Sequence, residues 1–280
     1  MAVMQAVGGN ILLAANLIQN AGVEQFRADN ATVGTSFETI SNNDADVVQI
    51  GEGAGDTIDV VSSSGDDVMT TGTGGWSVVV EGLDVNFLPQ SETIELNGAT
   101  AVPGLLTYVF VNRVYLSAAG TGLALAGQLT IADVTGSTVI GKIDIGKVEM
   151  ANLIYMVPAN STGYCYGFTA DVDAVAAGAG MVEAALQTVR TGLQGAIASE
   201  TWDTIGKLSQ SEGDGDVVQA TGGNANGSGG FEFPGQVPWV LPPKTIVRVA
   251  GKAGTGTAAI TGTLQIVVHG VNAGTTITAN

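Results

Sequence analysis

Short runs of β-branched residues, interrupted again and again by glycine, constrain this chain more than any other feature. Val, Ile and Thr favour extended backbone because two heavy atoms on Cβ restrict χ1 and pack well on a pleated surface. Glycine occurs 41 times in 280 residues without a three-residue period, so a collagen-like helix is ruled out and the glycines read as turns. Period-two alternation places strands at about 45–50, 56–61, 76–82, 91–96, 106–117, 127–133, 138–145 and 148–157. It continues at about 163–174, 181–191, 201–208, 215–220, 244–251 and 257–269. The run from Met181 to Arg190 is ambiguous: its Ala, Leu, Glu and Gln favour helix, its neighbours are strands, and strand is the preferred reading.

A dozen or so short strands joined by glycine turns predict an all-β fold of the β-sandwich or jelly-roll type. The length allows one large sandwich or two smaller ones, and the division expected is 41–157 and 158–280. Residues 1–40 differ in pattern: the apolar run Ile11 to Ile18 is followed by weakly patterned polar sequence, which predicts an N-terminal arm able to dock on a neighbouring subunit. Gly222 to Gly230 is too polar and glycine-dense to bury apolar surface and is expected to be an exposed loop. Pro234, Pro238, Pro242 and Pro243 then hold the following stretch extended.

Charge narrows the function classes. Nine Lys and Arg face 26 Asp and Glu, a formal net charge of −17. Such a surface repels phosphate backbones and anionic membranes, so neither nucleic acid nor membrane is an expected partner. The first basic residue is Arg27, so no positively charged region precedes the first apolar run and a secretory signal is not supported. That apolar run is also well short of the roughly 20 residues a membrane span needs, which predicts a soluble protein.

The chain offers little to a catalytic centre. His269 is the only histidine and Cys165 the only cysteine, so a triad or zinc site would need both residues to meet other ligands; His269 reads instead as a strand-end surface residue. Gly51-Glu52-Gly53-Ala54-Gly55 has the spacing of a dinucleotide loop, but the strand pattern Asp56 to Val61 follows where a helix is required, so the glycines read as a hairpin turn. Three acidic clusters have calcium-type oxygen ligands: Asp44 with Asp46, Asp66 with Asp67, and Glu212-Gly213-Asp214-Gly215-Asp216. None has the spacing of a calcium-binding hand, and solvated turn acids are the commoner outcome. Trp76, Trp202 and Trp239 are too scattered to predict a sugar-stacking cleft. The expectation is a non-enzymatic protein with no catalytic, cofactor-binding or metal-ligating residues and no cofactor or small-molecule substrate.

Several phrases carry a family likeness. They are Trp76 to Asp84 continuing through Asn86 to Ser91–Gly98, then Asn112-Arg113-Val114-Tyr115-Leu116, Tyr155 to Ala159 with Thr162-Gly163-Tyr164, and Leu241 to Val249. In this order, over about residues 50–270, the chain resembles uncharacterised virion structural proteins of marine tailed bacteriophages, departing from their pattern in the Gly- and Ala-rich 174–200 region. The resemblance implies a particle protein without catalytic residues. Combined with the acidity, the expected role is a decoration or cement protein on the outer surface of the virion head, a homotrimer contacting the major capsid protein and copies of itself. The alternatives are a tail or receptor-binding component, with loop 222–230 meeting host glycans, and a jelly-roll major coat protein.

Overall fold

The computed structural model describes residues 21–42, 54–134, 138–175, 181–190, 202–211, 219–220, 229–232 and 238–270. Eighteen strands are found there and no helix among the described residues. In chain order they are β1 (Ala21–Val33), β2 (Glu38–Thr39), β3 (Asp56–Ser62), β4 (Gly75–Leu83), β5 (Pro89–Glu95) and β6 (Val102–Tyr108). There follow β7 (Phe110–Ala119), β8 (Leu129–Asp133), β9 (Val139–Ile143), β10 (Ile154–Met156), β11 (Thr162–Val175) and β12 (Met181–Arg190). The last are β13 (Asp203–Ser211), β14 (Gln219–Ala220), β15 (Gly229–Glu232), β16 (Trp239–Leu241), β17 (Thr245–Ala253) and β18 (Ala258–His269).

The strands form four antiparallel sheets, paired into two sandwiches. One sheet runs β1-β18-β11-β15, with β16 also on β11; it faces a sheet running β10-β17-β12-β13-β14, with β2 also on β17. Between them lies a core that includes Phe26, Ile40, Leu153, Phe168, Leu186, Val249 and Leu264. The other two sheets run β6-β3-β8-β9 and β5-β4-β7. They enclose Ile58, Val80, Tyr108, Val114, Leu129, Ile131 and Ile143. An all-β sandwich architecture is therefore what the alternating sequence encodes.

The chain order of the sandwiches is the informative part. The sandwich of β3–β9 is inserted between β2 and β10 of the other, so the outer sandwich takes residues from both ends of the chain. Residues 21–33, expected within an arm, form a 13-residue strand antiparallel to β18, with Phe26 opposite Leu264. Ile154 to Met156 pairs with β17, so residues 151–157 pack with the second half rather than the first. The expected strand at 106–117 is two: β6 ends at Tyr108, and Val109 turns to donate its N–H to Leu83 O at 2.9 Å before β7 begins. The expected strand at 148–157 keeps only β10, although Val148 and Met150 hydrogen-bond to β7 on the way. The expected strand at 45–50 lies outside the described residues, as do most of the 222–230 loop and the apolar run 11–18.

A third core joins the sandwiches. Leu83, Val109 and Phe110 from the inserted sandwich meet Ile154 and Met156 of β10 and Val189 and Ile246 of the outer one, with Phe87 and Trp202 packed against them. Asn112 fastens this seam. Its Nδ2 donates to Met156 O at 3.2 Å while its Oδ1 accepts from Met156 N–H at 2.9 Å, so a side chain on β7 completes the ladder of β10.

Candidate interaction surfaces

The residues with catalytic potential in the sequence are kept apart. His269 is exposed at the end of β18, opposite Thr162. Cys165 lies on the neighbouring strand but faces the core, and burial pushes its thiol up to about 12 despite a hydrogen bond with Gly167 O. A thiol held that way is a packing group rather than a nucleophile. Trp76 donates its indole N–H to Gly72 O at 2.8 Å, Trp202 packs at the seam, and Trp239 lies on the edge strand β16, so the three indoles line no common cleft.

The acidic pair Asp66 and Asp67 divides. Asp66 is exposed, whereas Asp67 is wholly buried. Its Oδ1 accepts from Gly75 N–H at 2.6 Å and Ala126 N–H at 2.8 Å; its Oδ2 accepts from Ser62 Oγ at 2.6 Å and Gly127 N–H at 2.8 Å. Four donors fill the lone pairs a cation would need, so this carboxylate is a clasp for three loops. Asp44 with Asp46, the cluster 212–216 and residues 51–53 lie outside the described residues, while the strand expected after those glycines is β3. Among the described residues, no group of three or more His, Cys, Asp or Glu is placed to hold a metal ion.

Two surface features stand out, and neither was singled out from sequence. The first is an apolar end. Loops 63–74, 120–127 and 144–148 meet at the Gly75 and Ala119 end of β4 and β7, away from the seam by roughly 26 Å on a rise of about 3.3 Å per residue. Leu123 is 78% exposed and Ile145 65% exposed there, with Met69 and Val148 also exposed. The loops are tied to one another: Gly122 donates to Thr73 O at 2.7 Å, Gly146 to Leu125 O at 2.9 Å, and Asp67 holds residues 126 and 127. Leu123 is even held at φ 57°, a costly backbone conformation for a branched residue. Exposed apolar side chains on ordered loops are the makings of an association surface.

The second is an ionic cluster at the seam. Glu81 on β4 and Arg113 on β7 are cross-strand partners, Arg113 Nε contacts Glu149 Oε1 at 2.5 Å, and Tyr115 donates to Glu81 Oε1 at 3.1 Å. Glu24 of β1 approaches from the outer sandwich. Burial pushes its carboxyl up to about 7; Arg113 opposes the rise, and the charges of Glu81 and Glu149 add to it. Burial, with Glu24 and Glu81 nearby, likewise holds the Tyr155 hydroxyl well above its ordinary range. These residues are scattered over 130 positions in sequence, and only the insertion brings them together.

A different balance holds on the outer sandwich. Glu183 on β12 is nearly inaccessible between Lys207 of β13 and Lys252 of β17, the latter at 2.7 Å. Burial alone would push its carboxyl up, but the hydrogen bonds and charges of Lys207 and Lys252 outweigh it and hold the carboxyl below the usual range. Arg248 lies over the Trp202 ring at 3.9 Å and donates to Gln187 Oε1 at 3.1 Å. Five of the nine basic residues, namely Arg113, Lys207, Lys244, Arg248 and Lys252, thus face acids or aromatic rings within the chain.

Fold and surface together define an all-β protein of two fused sandwiches with no convergent chemical site among the described residues. No family model matches the chain, and no curated protein does. Among solved structures the chain is similar to the VP2 subviral particle of infectious bursal disease virus at 10% identity and a TM-score of 0.19, over 91% of this chain and 74% of that one. It is similar to a structure of the Gt strain of the same virus at 10% identity and a TM-score of 0.17, over 98% of this chain and 78% of that one. Likenesses at that level carry no argument about fold or function.

Proposed function

We propose that this chain is a structural protein of a bacteriophage virion, acting as a decoration or cement protein on the outer surface of the head, as a homotrimer bound to the major capsid protein. The observation that carries the reading is the apolar end built on Leu123, Ile145, Met69 and Val148, at the far side of a sandwich welded to its neighbour by an apolar seam. A rigid body presenting ordered apolar loops holds a shell together by shape and burial, without bond-making chemistry. The phrase-level resemblance to marine phage virion proteins supports the same role, and the charge of −17 favours a face turned to solvent rather than to packaged DNA.

Gel densitometry of purified virions tests it. A decoration protein is present in numbers comparable to the major capsid band, and a handful of copies per particle sinks the reading in favour of a tail component. A second measurement addresses the surface itself: Leu123→Asp with Ile145→Asp should abolish binding to heads that lack this protein while leaving the sandwiches folded.

A further inference from the structure

We propose that β1 pairs antiparallel with β1 of a second copy of this chain, about a two-fold axis at Ala28, so that Arg27 of each copy faces Asp29 of the other. β1 ends its sheet: β18 pairs with one side of it, and among the described residues no strand pairs with the other. A strand edge leaves a row of backbone N–H and C=O groups open to another chain, and natural edges are usually blunted by proline, charged side chains, bulges or very short length. β1 is 13 residues long and has no proline, its register shift falls only after Asn30, and the two charges on its exposed face, Arg27 and Asp29, are of opposite sign.

The side chains select both the occupant and the register. Phe26, Ala28 and Asn30 are buried toward the core, so Gln25, Arg27 and Asp29 lie exposed on the opposite face. Arg27 and Asp29 are two positions apart, which is the spacing of neighbours on one face of a strand. In an antiparallel pair centred on Ala28, residue 27 is opposite 29 and the reverse, giving two opposite-charge pairs from one symmetry operation. Shifting the centre by one residue to 27 or to 29 sets Arg27 against Arg27 or Asp29 against Asp29. The strand is therefore self-complementary in one register and self-repelling in those beside it. A foreign strand would need its own matched charges, whereas a second copy carries them already.

The usable edge is short. Register with β18 shifts between Asn30 and Val33, and Thr32 N–H is taken by Asn30 Oδ1 at 2.9 Å. At the other end Glu24 sits with the seam cluster. Pairing is thus confined to about residues 26–30, which suits a contact between copies already concentrated on a surface better than a permanent dimer. With −17 on each copy the long-range interaction is repulsive, so the contact has to rest on groups within a few ångströms of each other.

A charge-reversal cycle on the full chain tests this, read by sedimentation velocity over a concentration series. Whatever unit the chain forms through its other surfaces, one copy or three, wild type is expected to show a further, concentration-dependent association of those units through the β1 edge. Arg27→Asp and Asp29→Arg should each weaken dimerisation by about tenfold or more, and the double reversal should restore it to within a few-fold of wild type. Both positions are exposed, so the fold survives, as circular dichroism would verify. The Arg27→Cys/Asp29→Cys chain should form an intermolecular disulfide under air that neither single variant forms; Cys165 is buried and silent. A sedimentation coefficient that does not change with concentration, or an association that both single reversals leave unchanged, overturns the proposal, whichever other surface then carries the contact. Copy number in the virion is a separate measurement, so the cement reading and the edge pairing can fail independently.

Discussion

At the scale of single residues, Asp67 and Glu24 show how the same functional group is used in opposite ways. Asp67 is buried as a hub: four donors from three loops converge on it, and the apolar end of the inserted sandwich hangs from those loops. Asp67→Asn keeps the shape but turns one acceptor into a donor aimed at other donors. With hydrogen bonds to a charged group worth about 1.5–3 kcal/mol and orphaned donors costing as much again, the change should destabilise the chain by about 3 kcal/mol or more, measured by chemical denaturation. Glu24, in contrast, is held where a charge is unwelcome. Its folded pKa of about 7 lies above its ordinary 4.5, so between those values the folded state binds more protons than the unfolded one. Its contribution to stability is therefore fully present below about 4.5 and is lost as pH rises through about 7, by at most about 3 kcal/mol. Glu24→Gln removes that slope. Stability of the variant relative to wild type should rise between pH 5 and 8, and parallel profiles would show that Glu24 is already ionised at the seam.

At the scale of elements, what was legible in the sequence depended on whether a strand signals its own edges. β3, β4, β8, β11, β17 and β18 are rich in β-branched residues and bounded by glycine or proline turns, and their expected bounds lie close to the observed ones, although β17 is buried along nearly its whole length rather than alternating. β12 has helix-forming composition yet is a strand, because Val182, Ala184 and Leu186 face one core while β13 and β17 pair with it on both sides, and tertiary pairing outweighs a propensity of a few tenths of a kcal/mol per residue. β1 was missed as a strand since Glu24, Arg27, Asp29 and Asn30 dilute its pattern, and its alternation becomes visible only beside β18. The seam cluster left no sequence trace at all: Glu24, Glu81, Arg113 and Glu149 are ordinary surface residue types until the insertion folds them together. Side chains also substitute for ladders where sheets part. Glu92 of β5 accepts from Leu105 N–H at 2.7 Å and from Leu106 N–H at 3.4 Å, closing the gap to β6. Gly104 permits this, for a Cβ there would come within 2.5 Å of Glu92 Oε1. Glu92→Ala should leave those amides to water, and hydrogen exchange at Leu105 should speed by tenfold or more relative to its neighbours in β3.

At the scale of the whole molecule, the insertion decides how the chain unfolds. Two connections run between the sandwiches, one after β2 and one into β10, and by themselves two linkers would let each sandwich melt alone. The seam core changes that. Phe110 is fully buried there among Leu83, Val109, Ile154, Met156, Val189 and Ile246, with side chains from both sandwiches, and Asn112 adds two hydrogen bonds to β10. β10 in turn pairs with β17, so loss of the outer sandwich strips one wall from the seam, and loss of the inserted one exposes the other. Truncating a buried phenylalanine costs about 3–5 kcal/mol, comparable to the coupling such a seam can supply. Calorimetry of the full chain should therefore show one cooperative transition, and Phe110→Ala should split it in two, with the inserted sandwich melting first because it loses core on its own side as well. A wild-type chain that already melts in two steps would mean that the seam is a contact between independent bodies, and the rigid presentation of Leu123 and Ile145 on which the cement reading relies would go with it.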